Sequence, residues 1–377
     1  MLSNTELKRY SRHLIMPEIG RAGQEKLKQA RVLCIGAGGL GSPLALYLAA
    51  AGVGHLGLVD ADVVDLSNLQ RQILHRSEDV GRSKVQSAKE KLLALNPDIE
   101  IELHGSMITP DNALELLSAY DIIADGSDNF ATRYLVNDAC VLLGKPNVHA
   151  SIFRFEGQAS VFDATRGPCY RCLYGTPPEA GEVPNCAEGG VLGVLPGLMG
   201  VVQATEVIKL IIGLGEPLIG RMLSYDALQM RTREFQLLRD PDCPACGARR
   251  SIRDLSAHRE AAASCALAAV PEITAQELQQ WLERSDYAGG TPLLLDVREQ
   301  AEWDSCRIDG ARHIPLAQLP ERLGELDPAS DIVVYCLMGA RSRRAVAQLR
   351  DAGFKTVRSL NGGIRAWADV VDMAMPI

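Results

Sequence analysis

The sequence has no excess of positive charge: 39 Lys and Arg residues stand against 47 Asp and Glu residues, which gives a net charge of -8. No global positive field therefore draws the chain onto nucleic acid or anionic lipid, and we expect neither as a partner. The amino terminus lacks an apolar segment of signal-peptide length, and the most apolar later stretch, residues 189–204, is interrupted by Pro196 and several glycines. We therefore expect a soluble, cytoplasmic protein with no membrane segment.

Internal repeats and low-complexity tracts are also lacking, and 47% of the residues are hydrophobic while 23% are charged. This composition excludes a disordered chain, a collagen-like fibre and a disulfide-stapled miniprotein. The length of 377 residues exceeds the roughly 150 residues of a typical domain, so two domains are expected. Ten cysteines in a cytoplasmic chain of this size indicate metal binding or thiol chemistry rather than a disulfide framework.

Apolar β-type runs alternate with longer helical runs from residue 30 to about residue 239, a pattern that predicts a doubly wound, mostly parallel α/β sheet. A stretch rich in Ala, Ser and charged residues follows and predicts a linker at 251–271. A second set of strands and helices then occupies about 105 residues. We place the domains at 1–250 and 272–377, the second a small α/β domain.

A glycine-rich loop, residues 36–41, lies between the strand VLCI and a helical segment, so that backbone amides at the helix start are free to face an anion. Asp60 ends the next strand at the distance where a carboxylate accepts hydrogen bonds from ribose hydroxyls. A nucleotide site is the prediction, with a tight turn that binds nothing as the alternative. These features alone fit NAD as well as ATP.

Residues 65–72 and Lys84 place cations and amides just after Asp60, which favours ATP. In nucleotidyl transfer, charge builds on the α-phosphate and on the departing pyrophosphate, and nearby Arg or Lys stabilises that transition state. Asp125 and Asp128 follow another strand, where carboxylates can hold the Mg²⁺ that bridges phosphates. Taken singly, each cation also fits an ordinary solvated surface charge.

Two pairs of cysteines have the spacing of chelating knuckles: Cys169, Cys172, Cys243 and Cys246. Four thiolates form a closed tetrahedral site that suits structural Zn²⁺, and we predict about one zinc ion per chain. Unmetallated core pairs or a redox pair are the alternatives, because CxxC also serves disulfide exchange.

Cys336 ends the strand DIVVYC and is followed by the loop LMGARS and directly by a helix. Such a loop can wrap its amides around one sulfur atom, and helix-end amides together with Arg341 favour a thiolate or a terminal persulfide. A buried core cysteine at a strand end is the alternative.

Several segments of residues 1–250 form a set: RYSRHLI, GAGGLGSP, LVDAD, SNLQRQILH, GRSKV, DGSDNFATRYLVN, CYRC and CPAC. This set resembles the ThiF/MoeB adenylyltransferases, relatives of ubiquitin-activating enzymes. In residues 272–377 the segments LLDVREQAEW, HIPLAQLP, CLMGARS and NGGIRAW resemble a rhodanese domain. Four residues separate Cys336 from Arg341, as in sulfurtransferases; related cysteine phosphatases have one more.

The first resemblance implies a homodimer with a Rossmann-like ATP-binding fold that adenylates the Gly-Gly carboxylate of a ubiquitin-like sulfur-carrier protein. It implies the nucleotide-binding residues Gly39, Gly41, Asp60, Ser67, Asn68, Leu69, Gln70, Arg71, Lys84, Asp128 and Asn129. It implies that Arg71, Lys84 and Asp128 act in catalysis, with Asp128 on Mg²⁺. Arg12 is expected to reach the active site of the other protomer.

Two further cysteines have open roles. In relatives, a cysteine at the position of Cys186 attacks the acyl adenylate, although in some members it is dispensable, and an incidental thiol is the alternative. Where rhodanese relatives usually have Gly-His-Ile, this chain has Cys306-Arg307-Ile308, and we assign Cys306 no catalytic role. The rhodanese resemblance implies that Cys336 accepts sulfur from a persulfide donor such as a cysteine desulfurase.

The two domains together predict adenylation of a carrier carboxylate followed by sulfur transfer from a Cys336 persulfide, which leaves a carrier thiocarboxylate. A non-catalytic scaffold that only docks the carrier is one alternative, and a NAD-dependent oxidoreductase is another. The NAD reading leaves Arg71, Lys84 and the DGSDN carboxylates without a role. The sequence leaves the carrier, the sulfur donor and the final acceptor open.

Overall fold

The computed structural model describes residues 1–178, 190–260, 270–283 and 291–375. The chain divides into two compact units, Met1–Ala261 and Ala262–Ile377.

The first unit is built on an eight-stranded sheet with the spatial order β3-β2-β1-β4-β5-β6-β7-β8. Its strands are β1 (Arg31–Ile35), β2 (His55–Val59), β3 (Glu100–His104), β4 (Ile122–Asp125), β5 (Asn147–Phe153), β6 (Glu156–Phe162), β7 (Arg221–Asp226) and β8 (Arg231–Gln236). Strands β1 to β5 are parallel, and β6, β7 and β8 extend the sheet as antiparallel neighbours.

Helices cover both faces of the parallel part of this sheet. They are α1 (Asn4–Arg9), α2 (Ser11–Leu14), α3 (Gly20–Gln29), α4 (Gly41–Ala51), α5 (Lys84–Leu95), α6 (Ala113–Ser118), α7 (Phe130–Leu143), α8 (Tyr170–Leu173) and α9 (Leu195–Ile212). Short 3₁₀ turns lie at Leu66–Asn68 and Ser77–Asp79.

Strand β1 shows why both faces are covered. Side chains alternate along a strand, and Val32 and Cys34 pack into one hydrophobic cluster while Leu33 and Ile35 pack into a second. The first cluster contains residues of α4, α5 and α9, and the second contains residues of α6 and α7. An apolar strand buried on both faces is typical of a doubly wound parallel sheet, so the predicted fold class is confirmed for this unit.

Helix α9 is long and apolar enough to cross a membrane by length and composition, and half of it is buried inside the unit. Its residues Leu195, Met199, Ala204 and Val207 belong to the hydrophobic cluster shared with α4 and β1. A buried core helix meets the same two criteria.

The second unit contains a five-stranded parallel sheet with the order β11-β10-β12-β13-β9. Its strands are β9 (Glu272–Ile273), β10 (Leu293–Asp296), β11 (Arg312–His313), β12 (Ile332–Tyr335) and β13 (Val357–Leu360). Its helices are α10 (Ala275–Glu283), α11 (Gln300–Ser305), α12 (Leu319–Arg322), α13 (Ala340–Asp351) and α14 (Gly363–Val370), with 3₁₀ turns at Leu316–Gln318 and Leu323–Glu325. The sheet again has a hydrophobic cluster on each face, which confirms a small α/β domain.

The beginning of the predicted linker packs onto the first unit. Leu255 is buried in the cluster that contains α6 and α7. The ring Nε2 of His258 lies 2.8 Å from a carboxylate oxygen of Asp138, a residue of α7. Residues 254–259 are therefore attached to the first unit by an apolar and a polar contact.

Candidate functional site

A cavity of about 270 Å³ lies at the carboxyl ends of β1 and β4. These strands are neighbours, and the helices that follow them, α4 and α7, pack on opposite faces of the sheet. Such a switch point is where open α/β sheets bind ligands. Six predicted residues line the cavity: Gly39, Asp60, Arg71, Lys84, Asp128 and Asn129.

The glycine loop joins β1 to α4 by a turn that side chains would block. Gly36 has a φ of +88°, a backbone conformation that favours glycine, and a Cβ on Gly41 would overlap the carbonyl oxygen of Gly36. Gly41 does not itself line the cavity; its role in the structure is to let the helix start close to the strand. The turn leaves Gly38 and Gly39 along the cavity wall.

Asp60 is bound to the glycine loop. One carboxylate oxygen accepts a hydrogen bond from the Ala37 amide at 2.8 Å, and the other accepts from the Asp62 amide at 2.9 Å. A carboxylate has about four lone-pair sites, so acceptor capacity remains for ribose hydroxyls. Asp60 therefore holds the loop in place and still presents oxygen atoms to the cavity.

Arg71 projects from a turn that contains most of the predicted phosphate-side residues. Its guanidinium donates to the Ser67 carbonyl oxygen at 3.2 Å, while the Asp65 carboxylate accepts from the Ser67 amide at 2.8 Å. Ser67, Asn68, Leu69 and Gln70 are part of this turn and are not among the residues that line the described cavity. The Asn68 carbonyl oxygen also accepts a hydrogen bond from the Arg71 amide at 3.0 Å, so this turn supports Arg71.

Lys84 is the first residue of α5, and its side chain is 7% exposed. Its Nζ donates to Asp62 at 2.8 Å, while the Asp62 side chain is 71% exposed. Water already solvates the Asp62 carboxylate, so Asp62 can leave the buried Lys84 ammonium at a small cost in free energy. A phosphate group can then take the place of that carboxylate. Asp62 was not among the predicted site residues, although it lies only two positions after Asp60.

Asp128 and Asn129 occupy the loop between β4 and α7, and both are exposed toward the cavity. The Asn129 side chain caps α7 by accepting from the Thr132 amide at 2.8 Å. Asp125, which the sequence also placed among the carboxylates here, is fully buried, and its side chain faces His149 at 3.5 Å. Burial by itself raises the pKa of Asp125, but the His149 ring beside it and the hydrogen bond from the Ser127 amide outweigh burial and hold that pKa below its usual range.

Two predicted residues lie elsewhere. Arg12 is exposed on α2 and does not line the cavity of its own protomer within the described residues. Cys186 lies outside the described residues, so its predicted role has no structural counterpart here.

The four predicted metal ligands come together. The Sγ atoms of Cys169, Cys172, Cys243 and Cys246 all lie within 4.8 Å of one another. The Sγ–Sγ distances are 3.9 Å for Cys169–Cys172, 3.6 Å for Cys169–Cys243 and 3.3 Å for Cys172–Cys246. They are near the edge of about 3.8 Å expected for a tetrahedron of sulfur atoms with Zn–S bonds of about 2.3 Å. The donor set and its size therefore fit a structural zinc ion, and α8 holds the first pair beside the second, 74 residues away.

Cys336 lies at the end of β12, 2% exposed, at the amino end of α13. The Gly339 amide donates to its Sγ at 3.1 Å, and the Ser342 hydroxyl lies 3.7 Å away. Gly363 closes the loop, because a Cβ there would overlap the Cys336 carbonyl oxygen. One amide of the predicted loop therefore contacts the sulfur atom, with the Ser342 hydroxyl near it.

Arg341 is held differently from the expectation. Its two terminal nitrogens donate to both carboxylate oxygens of Glu302, at 2.6 Å and 2.7 Å. This bidentate ion pair fixes the orientation of the guanidinium. Cys306 is half-buried, and its thiol forms no disulfide within the described residues. Its backbone carbonyl oxygen accepts a hydrogen bond from the Arg298 guanidinium.

Sequence reasoning missed a further buried residue of the cavity wall, Arg133, whereas Gln72, also buried, ends the segment 65–72 that the sequence had singled out. Arg133 lies four positions after the Asn129 cap, on the first turn of α7, where a side chain points back toward the preceding loop. This spacing from the Asn129 cap was the sequence feature that could have identified Arg133 as a cavity residue.

Comparison with known proteins agrees with both units. A model of the ThiF family matches residues 10–245, and a model of the rhodanese-like domain matches residues 274–369. The chain belongs to the ThiF family. The predicted combination of a ThiF/MoeB-type unit with a rhodanese domain is confirmed.

Relatives with the same arrangement span nearly the whole chain. It is 51% identical to the probable adenylyltransferase/sulfurtransferase MoeZ of Mycobacterium tuberculosis, over 99% of this chain and 96% of that protein. It is 46% identical to the adenylyltransferase and sulfurtransferase MOCS3 of Sus scrofa, over 100% of this chain and 88% of that protein. The crystal structure of Escherichia coli MccB with MccA-N7isoASN is similar with a TM-score of 0.59 and 25% identity, covering 65% of this chain and 76% of that one.

Proposed function

We propose that this enzyme adenylates the carboxy-terminal glycine of a ubiquitin-like sulfur-carrier protein with ATP and then transfers sulfur to it from Cys336. The observation that carries this proposal is the cavity, in which the glycine loop and Asp60 meet Arg71, Lys84 and Asp128. The ThiF-plus-rhodanese arrangement shared with adenylyltransferase/sulfurtransferases over almost the full chain supports it.

In the first step a carboxylate oxygen of the carrier attacks the α-phosphorus of ATP, and the bond to the bridging oxygen breaks. The products are the acyl adenylate and pyrophosphate. Negative charge grows on the phosphate oxygens, and Arg71 and Lys84 stabilise it from the cavity wall. Asp60 holds the ribose, and Gly39 allows the phosphates to approach the backbone.

Asp128, exposed in the cavity, is the proposed Mg²⁺ ligand, with Asn129 beside it. Oxygen donors of this kind suit Mg²⁺, which when bound neutralises charge on the polyphosphate. The four-cysteine cluster is the proposed Zn²⁺ site, and its part is structural. We further propose a homodimer in which Arg12 completes the partner's cavity.

In the second step the terminal sulfur of a Cys336 persulfide attacks the acyl carbon and AMP leaves, which forms an acyl disulfide between carrier and enzyme. A thiol attacks the Cys336 sulfur of this acyl disulfide, and the carrier departs as a thiocarboxylate. A second thiol then attacks the mixed disulfide on Cys336, which frees Cys336 and leaves a disulfide of the two reductant thiols. A persulfide donor such as a cysteine desulfurase recharges Cys336. The Gly339 amide at 3.1 Å from Sγ supports a bound sulfur anion at this loop.

The same proposal includes Cys186 of this enzyme as a second thiol that attacks the acyl adenylate. It also includes the domain limits 1–250 and 272–377 and a cytoplasmic location. The paired cations of the cavity favour catalysis over a scaffold that only docks the carrier.

ATP–pyrophosphate exchange tests the first step. We expect exchange only with carriers that end in Gly-Gly, and none with the same carrier lacking its last glycine. Nicotinamide binding without carrier-dependent exchange would contradict the proposal.

A further inference from the structure

Asp128 is exposed, yet the residue before it is held from both sides. The Ser127 amide donates to the Asp125 carboxylate at 2.9 Å. The Ser127 carbonyl oxygen accepts two hydrogen bonds from Arg133, from Nε at 3.3 Å and from Nη2 at 3.2 Å. The backbone that carries Asp128 is therefore fixed at the peptide unit immediately before it.

Arg133 is itself rigidly placed. It is 9% exposed, it lies on the first turn of α7, and its guanidinium carbon is 5.2 Å from the ring centre of Phe130. A planar guanidinium that donates with two nitrogens to one oxygen fixes direction as well as distance. Lysine can occupy the same space and keep the charge, but it cannot reproduce this fork.

Asp128 needs such support because few other contacts among the described residues hold its side chain. A carboxylate free to rotate loses conformational freedom on binding a cation, and a metal ligand must be aimed within a fraction of an ångström. The cap made by Asn129 fixes the other side of the loop. Asp128 thus sits between two fixed neighbours while its own side chain remains accessible.

We propose that Arg133 is a positioning residue for adenylation: by donating to the Ser127 carbonyl oxygen it fixes the backbone from which Asp128 holds the magnesium ion of Mg-ATP. This inference rests on the proposed function, since Asp128 as a magnesium ligand is part of it. Arg133 also lines the cavity, and the proposal is that it acts through Asp128 rather than by a contact of its own with the nucleotide.

The test compares ATP binding with Mg²⁺ and with EDTA by isothermal titration calorimetry, using the full-length protein and no carrier. We expect Arg133→Lys to raise the Kd of ATP about tenfold in Mg²⁺ and to leave it within about twofold in EDTA. The matched control Arg76→Lys changes an exposed arginine whose guanidinium pairs with exposed Glu78, and it should leave both values unchanged.

A double-mutant cycle separates positioning from direct contact. In an Asp128→Asn background, Arg133→Lys should change the Mg²⁺ titration by less than about twofold, because the group it positions is already lost. A tenfold effect that persists in this background, or an equal rise in EDTA, would overturn the inference.

Folding and function are controlled separately. The Tm of each variant is measured, and if Arg133→Lys does not fold, Arg133→Gln takes its place in the same titrations. Since calorimetry needs no carrier, absence of carrier-dependent exchange in the wild-type protein would count against the proposed function, whereas the Mg²⁺-specific loss would still support the inference.

Discussion

Lys84 shows how one residue is prepared for a charged ligand. Its side chain is 7% exposed, whereas its partner Asp62 is 71% exposed. The cation has therefore lost most of its hydration already, while the anion that balances it is still in water. When a phosphate group replaces Asp62, the Lys84 ammonium still has an anionic partner and the Asp62 carboxylate is still solvated by water.

We expect Lys84→Met to lower carrier-dependent ATP–pyrophosphate exchange by about a hundredfold or more, because a preorganised cation aimed at developing charge contributes on that scale. The Tm should change little, since Asp62 stays solvated after the substitution. Lys89→Met, a lysine on the same helix that does not line the cavity, is the control. A hundredfold loss in both variants, or in neither, would contradict this role.

Individual residues also mark where sequence reasoning stops. Asp60, Arg71 and Lys84 were predictable because they follow strands or motifs at fixed spacing, and the cavity contains all three. Arg133 was not, because an arginine inside an amphipathic helix reads as a surface charge until the fold shows it buried against Ser127. The Arg341–Glu302 pair was missed because it joins residues 39 positions apart.

At the scale of elements, the cysteine cluster joins α8 to the segment after β8. Cys169 and Cys243 lie 3.6 Å apart although 74 residues separate them in sequence. A metal ion bound at this point would close a long loop and so stabilise the fold of the first unit.

Cys243→Ser should remove the bound zinc, about one ion per chain in the wild-type protein, and lower the Tm of the first unit. Plasma mass spectrometry gives the metal content and differential scanning calorimetry the Tm. Cys306→Ser serves as the control, since this half-buried thiol belongs to the second unit and is outside the cluster. A wild-type protein free of zinc, or a Cys243→Ser variant that retains it, would refute the assignment.

Strands and helices could be predicted where the sequence around them has a clear hydrophobic pattern. The apolar runs of β1, β2, β4 and β12 and the helical periods of α5 and α13 are local, and the structure has them. The attachment of residues 254–259 was not predictable, because Leu255 and His258 are held by tertiary contacts that the Ala- and Ser-rich composition does not reveal. Tertiary contacts override local composition in such segments.

At the scale of the whole molecule, the adenylation cavity and Cys336 belong to different units. The acyl carbon and the persulfide must nevertheless meet for a bond to form. We therefore expect the chain between the units to limit the second step and to leave the first unaffected.

Deletion of residues 262–268 should slow sulfur transfer by at least about tenfold and leave ATP–pyrophosphate exchange within about twofold. Quenched-flow mass spectrometry of the carrier gives the transfer rate. The control inserts seven Gly and Ser residues at the same point, which should alter transfer only slightly because reach grows with linker length while closure entropy rises slowly. Equal loss of exchange and transfer in the deletion variant would refute the account of the linker.

The most direct test of the central claim is the intact mass of a Gly-Gly-tailed carrier after incubation with ATP, Mg²⁺, a persulfide donor and a thiol reductant. With the wild-type enzyme the account predicts one sulfur in place of one carboxylate oxygen. With Cys336→Ala it predicts an unchanged carrier mass while ATP–pyrophosphate exchange continues. Sulfur gain that persists with Cys336→Ala, or exchange by the wild-type enzyme with no sulfur gain, would contradict the two-step mechanism.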